Sequence, residues 1–135
     1  MRAPTLLVIE DMHDQAVLVG IAARRAHPGL DVRTAGDGGE GIAYLAGEEP
    51  FDDRKAHPLP DLVILDLLMP AVDGFAVLEW LQSRDEPLEI PVVVLTSSPS
   101  VPDEVRALEL GAAAVYQKPP ALAELGSTVK EIVHK

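Results

Sequence analysis

Five chemistry-bearing positions recur at the ends of short apolar runs. Glu10 and Asp11 follow Thr5–Ile9, and Asp66 follows Asp61–Leu65. Thr96, with Ser97 and Ser98 behind it, follows Pro91–Leu95, and Lys118-Pro119 comes just after Ala112–Tyr116. If the fold brings these ends together, three acids, a hydroxyl and a lysine share one crevice. Carboxylates held that close repel, by roughly 4 kcal/mol for two unit charges about 4 Å apart at an effective dielectric near 20. Something cationic must therefore sit among them. Lys118 supplies one charge, and an all-oxygen acidic pocket with room for water is what Mg2+ selects, through one or two carboxylates plus phosphate oxygens. Phosphoryl transfer needs chiefly positioning and charge neutralisation, and a carboxylate can serve as the acceptor.

The elements that must position these residues alternate along the chain. The four apolar runs, with Asp31–Ala35 as a half-polar fifth, have the length and β-branched content of buried strands. Between them apolar residues recur at helical spacing: Val17, Leu18, Ile21 and Ala22; Phe75, Leu78 and Leu81, with Trp80 alongside; Val105, Leu108 and Leu110; Leu122, Leu125, Val129, Ile132 and Val133. Cap or breaker residues open the helical segments, at Asp14, Asp37-Gly38, Asp73-Gly74, Pro102-Asp103 and Pro119-Pro120. Five β–α units predict an α/β, doubly wound fold, a five-stranded parallel sheet with helices on both faces. The flavodoxin-like order 2-1-3-4-5 fits that number of units, and such sheets bind ligands outside the carboxyl ends of their strands. The one long connection, Glu48–Pro60, reads equally well as a solvated insertion or as a functional loop.

Composition narrows the classes further. At 135 residues the chain is expected to be one domain, and 47% hydrophobic against 24% charged residues is a globular balance. Eleven Lys and Arg against 22 Asp and Glu leave a net charge of −11, which repels nucleic-acid backbones and anionic lipid surfaces. No cysteine is present, which excludes disulfides, thiolate catalysis and cysteine-based zinc sites. No apolar run has the length of a signal-peptide core or a membrane span, and a cytoplasmic location is the expectation. His13, His27, His57 and His134 lack metal-ligand spacing. Phe75 and Trp80 read as core rather than as a recognition patch.

Ile9-Glu10-Asp11, Leu65-Asp66-Leu67-Leu68-Met69-Pro70 with Asp73-Gly74, Val94-Leu95-Thr96-Ser97, and Gly111-Ala112 with Lys118-Pro119 together resemble the receiver (CheY-like) domains of two-component response regulators. The resemblance spans nearly the whole chain, with the motifs in order. It implies a single receiver unit over residues 1–135 without an output domain, acting as a phosphorylation-controlled switch rather than an enzyme. It also implies that Asp66 accepts a phosphoryl group from a histidine kinase or a small phosphodonor, and that Thr96 and Lys118 contact phosphoryl oxygens. Mg2+, with Mn2+ as a substitute, would be held by Glu10, Asp11, Asp66 and the Leu68 backbone carbonyl. The Lys118–Pro119 bond is expected to be cis. The long connection before Pro60-Asp61, with Trp80-Leu81, is further similar to stand-alone receivers that partner bacterial phytochrome histidine kinases. Partners are then a sensor kinase and a downstream or phosphotransfer protein, with the chain a monomer or a homodimer.

One departure stands out. The family commonly carries an aromatic residue three places before its lysine, where this chain has Val115, while Tyr116 lies one place later. Strand alternation predicts that Tyr116 faces away from Val115's side, so switching is expected to use Thr96 and the Ser97–Val101 segment. Taken singly, each site residue has a bland reading: a polar strand end, a helix cap, a loop hydroxyl or a surface lysine. A haloacid-dehalogenase-type phosphatase or a Toprim-like nuclease would want an acid where Leu68 stands. A flavodoxin-type phosphate loop is disfavoured by Glu10-Asp11. A degenerate receiver that binds partners without being phosphorylated is the remaining alternative.

Overall fold

The computed structural model describes residues 3–97, 99–119 and 122–134. Its elements follow in strict alternation: β1 (Thr5–Ile9), α1 (His13–Ala26), β2 (Asp31–Ala35), α2 (Gly38–Ala46), β3 (Leu62–Leu65), α3 (Gly74–Gln82), β4 (Val92–Thr96), α4 (Val101–Glu109), β5 (Ala114–Gln117) and α5 (Leu122–Val133). The strands form one sheet in the order β2-β1-β3-β4-β5, every pair parallel, as the alternation predicts.

Helices on both faces explain why β1, β3 and β4 are apolar at successive positions. Leu7, Ile9, Val63, Leu65, Val92 and Val94 pack with Tyr44, Leu45, Phe75, Leu78 and Ala107 from α2, α3 and α4. Leu6, Val8, Ile64, Val93 and Leu95 point the other way, onto Ala16, Val19, Ala23, Val129 and Ile132 of α1 and α5. Phe75 is buried and Trp80 packs against the first of these clusters, as expected of core residues.

Side-chain caps start several helices. Asp37 accepts the Glu40 amide hydrogen at 2.7 Å, and Asp73 accepts that of Ala76 at 2.9 Å. Ser100 accepts from the Asp103 amide at 3.2 Å, with Pro102 in the first turn of α4. The sequence signal misplaces the α1 cap. Met12, not Asp14, occupies it, without a side-chain hydrogen bond, and Asp14 lies in the first turn, where its charge suits the positive end of the helix dipole. Strand β5 also begins later than its apolar run. Gly111 at φ 102° and the Ala112 amide bonded to the Ala107 carbonyl finish the α4 turn, so ladder pairing begins only around Ala114. Ser98 and Pro120, singled out in the sequence, lie outside the described residues.

The long connection folds back onto α2. The Arg54 guanidinium donates to the carbonyls of Tyr44 (2.8 Å), Leu45 (2.9 Å) and His57 (3.2 Å), satisfying acceptors that a helix C-terminus leaves open. Tyr44 donates its hydroxyl to the Pro58 carbonyl, and Phe51 packs against the core. Among the described residues the cis peptide bond is Glu49–Pro50, not the expected Lys118–Pro119.

The turn from β3 into α3 fixes where Asp66 sits. The Gly74 amide donates to the Leu67 carbonyl at 3.0 Å, and Ala71 takes a left-handed φ of 62° to bring the chain round. A Cβ on Gly74 would lie 2.4 Å from the Asp66 carbonyl oxygen and 2.7 Å from the Leu67 Cα, both of them backbone atoms. Gly74→Ala is therefore expected to lower stability by about 1–3 kcal/mol in urea unfolding. Gly126→Ala on α5, whose Cβ would meet nothing within 4 Å, should instead raise it by about 0.5–1 kcal/mol.

Candidate functional site

The carboxyl ends of β1, β3 and β4 and the segment after β5 carry the five residues singled out in the sequence. The Glu10 amide still bonds to the Ala35 carbonyl of β2, and the Asp66 amide to the Ile9 carbonyl of β1, so both side chains leave from fixed backbone. Alternation separates the acidic pair: Glu10 turns inward and is 4% exposed, whereas Asp11 stays at the surface. Asp66 is buried at 8% exposure. One oxygen from each of Glu10, Asp11 and Asp66 lies within 4.8 Å of the others.

Lys118 closes this group. Its amide donates to the Thr96 carbonyl at 2.7 Å, which anchors the segment after β5 beside β4. Its Nζ lies 2.5 Å from Glu10 Oε1 and 3.5 Å from Asp66 Oδ2, and the side chain is largely buried. Thr96 is buried at the end of β4, opposite Gln117, whose side-chain amide donates to the Ser97 carbonyl at 3.1 Å. That tie, and Arg54 under α2, had no signal in sequence spacing. The Leu68 amide lies 3.4 Å from Asp66 Oδ1, and the Leu68 side chain is 62% exposed. Val115 packs with the α2–α4 cluster and Tyr116 with the α1–α5 cluster, the opposite placement that alternation predicts.

The charges do not balance. Three carboxylates face one ammonium, and Glu10 Oε2 is buried without a hydrogen-bond partner. Burial, reinforced by hydrogen bonding and charge repulsion from Asp66, pushes the Glu10 carboxyl up to about 7, although Lys118 pulls the other way. A small divalent cation with a preference for oxygen fits these donors: it would neutralise the surplus carboxylates and give the orphaned oxygen a partner. Glu10, Asp11 and Asp66 are the side chains that would hold it.

Comparisons with known proteins agree with this arrangement. The family described as response regulator receiver domain matches residues 6–130. The transcriptional regulatory protein PrrA of Mycobacterium leprae is 34% identical over the full chain, which covers 52% of that protein. The chain thus spans about half the length of the curated relatives it matches. Among solved structures, the phosphorylated cyanobacterial phytochrome response regulator RcpA superposes with a TM-score of 0.88 at 31% identity, covering 96% of this chain and 91% of that one. The Mn2+-bound form of response regulator Rcp1 gives 0.84 at 28% identity, with 96% and 91% covered.

The raised Glu10 carboxyl makes metal-free stability depend on pH. Between its ordinary value of 4.5 and about 7 the folded chain holds a proton that the unfolded chain has released, so stability falls as pH rises through that window. The contribution is complete below the window and gone above it, a change of up to about 3 kcal/mol at 1.36 kcal/mol per unit. In thermal unfolding with a chelator, the wild type is expected to lose stability relative to Glu10→Gln between about pH 5 and pH 8. A pH-independent difference between the two would contradict the assignment.

Proposed function

The chain belongs to the response regulator receiver domain family, and from that membership we propose that it is a phosphorylation-controlled switch with Asp66 as its phosphoacceptor. The observation that carries the reading is the convergence of Glu10, Asp11 and Asp66 within 4.8 Å, with Lys118 reaching both buried acids. In this reading residues 1–135 act as one receiver unit, read out through a protein-binding surface.

A carboxylate oxygen of Asp66 attacks the phosphorus of a phosphohistidine or an acyl phosphate. The new O–P bond forms as the donor's N–P or acyl O–P bond breaks, and the electron pair leaves on the donor. Glu10, Asp11, Asp66 and the Leu68 carbonyl would hold Mg2+, which would supply charge neutralisation for a dianionic phosphoryl group in an acidic crevice. Mn2+ is a competent substitute in this reading, and the Mn2+-bound Rcp1 neighbour supports it. Lys118 holds a phosphoryl oxygen as Asp66 gives up its own negative charge to the acyl phosphate bond. Thr96 donates its hydroxyl to another.

The phosphoryl group adds a charge of about −1.5 to −2 beside Thr96 and Lys118, which biases the segment between Ser97 and Val101. Val115 fills the place of the usual aromatic and Tyr116 lies on the other face, so the signal passes through the Thr96 hydroxyl and this segment rather than through a rotating ring. The phosphodonor in this reading is a histidine kinase, of the phytochrome type by similarity to RcpA. No described helix is long and apolar enough to cross a membrane. The second reading, a phosphorylation-independent interaction module, rests on the displaced aromatic.

Intact-mass spectrometry after incubation with acetyl phosphate and Mg2+ separates the two. A single labile phosphate adduct that needs the metal and is lost in Asp66→Asn is expected. No adduct under any donor would leave the binding module, and an adduct surviving in the variant would place the acceptor elsewhere. Tyr116→Ala should keep phosphate uptake and the phosphorylation-linked change in amide exchange between Ser97 and Val101. Loss of that change with uptake intact would return the ring to the mechanism.

A further inference from the structure

A groove of about 550 Å3 runs between α1 and α5, separate from the carboxylate crevice. The void enclosed beneath that crevice, beside Asp66 and Lys118, is only about 10 Å3. The groove is in the size range of small-molecule sites, roughly 300–1,000 Å3 with mostly apolar walls and a few polar groups. Leu18, Ile21, Ala22 and Leu125 form its apolar wall, and its two charged lining residues, Arg25 and Lys130, are both cations. Neither makes an ion pair among the described residues. In a chain of net charge −11, two uncompensated cations on an apolar cleft are a local reversal of sign.

Gly126 keeps the cleft open. A Cβ there would meet nothing within 4 Å, so the small residue is not required by packing against α1.

We propose that the α1–α5 groove binds a small amphipathic anion, its apolar body against Leu18, Ile21, Ala22 and Leu125 and its headgroup between Arg25 and Lys130. The wall removes apolar surface from water, and the headgroup gains charge-assisted hydrogen bonds from two cations that have no carboxylate partner among the described residues. A free monoanion suits the site better than an anionic bilayer. The bilayer would have to approach a molecule carrying twice as many acids as bases.

The test is titration of the full chain with decanoate, followed by amide shifts and by displacement of the fluorescent dye 8-anilinonaphthalene-1-sulfonate. Shifts are expected to map to α1 and α5. Arg25→Glu with Lys130→Glu should weaken decanoate by at least about tenfold. Gly126→Leu, which fills the cleft from a position free of clashes, should abolish binding, with a urea midpoint near that of the wild type showing that the fold persists. Decanol, with the same tail and no charge, should bind at least about tenfold more weakly. Equal binding of decanol, or shifts unaltered by both variants, would overturn the proposal. Binding to phosphatidylglycerol vesicles without binding of free decanoate would overturn it in favour of a membrane surface.

Discussion

Bringing three carboxylates to one place is the constraint on which the rest of this structure turns. Left to themselves Glu10, Asp11 and Asp66 would separate, and two of them are buried, where charge costs most. The sheet prevents separation because Glu10 and Asp66 leave from strand ends whose backbone is already committed to a neighbour, and Asp11 follows Glu10 directly. Lys118 then answers part of the charge from the far side, beyond β4. Burial, with Asp66 close by, then leaves the Glu10 carboxyl raised. A group held in this state responds strongly to any added charge, whether a cation or a phosphoryl group, and that responsiveness is what a switch requires.

Much of this was legible in the chain. The strands of a parallel sheet covered on both faces must be apolar at successive positions, so Leu6-Leu7-Val8-Ile9 and Val92-Val93-Val94-Leu95 stand out, and the first polar residue after each marks a strand end. Asp37 and Asp73 announced their helices because capping is local chemistry. The misread places are those decided by tertiary context. Asp14 has the right chemistry for a cap, but α1 begins one residue before it. Strand β5 is only four residues long, and the turn closing α4 takes Ala112 from its apolar run. Alternation puts Glu10 and Asp11 on different sides, but which of the two is buried shows only in the sheet.

The connection from 48 to 60 shows the same limit from another side. Its polar composition suits a solvated insertion, yet Arg54 ties it to the end of α2 and the Tyr44, Phe51 and His57 rings gather around it. An arginine whose partners are backbone carbonyls leaves no pattern in the sequence, because every residue has a carbonyl to offer. At β5 the opposite holds. The one-place shift from Val115 to Tyr116 is visible in the sequence, and strand geometry alone converts it into a change of face.

The span of the Lys118–Glu10 pair has a further consequence, for the order in which the molecule assembles. Its partners are 108 residues apart, whereas the Arg54–Tyr44 contact closes across ten. Short loops close early and at little entropic cost, while contacts between distant parts of a chain must wait for the sheet to align. The α2 unit can thus settle on local information, but the charge cluster exists only once β1, β3, β4 and the segment after β5 are all in register. A chain arrested before β5 docks would present Glu10 and Asp66 without their lysine, so completing the sheet is also what completes the charge cluster.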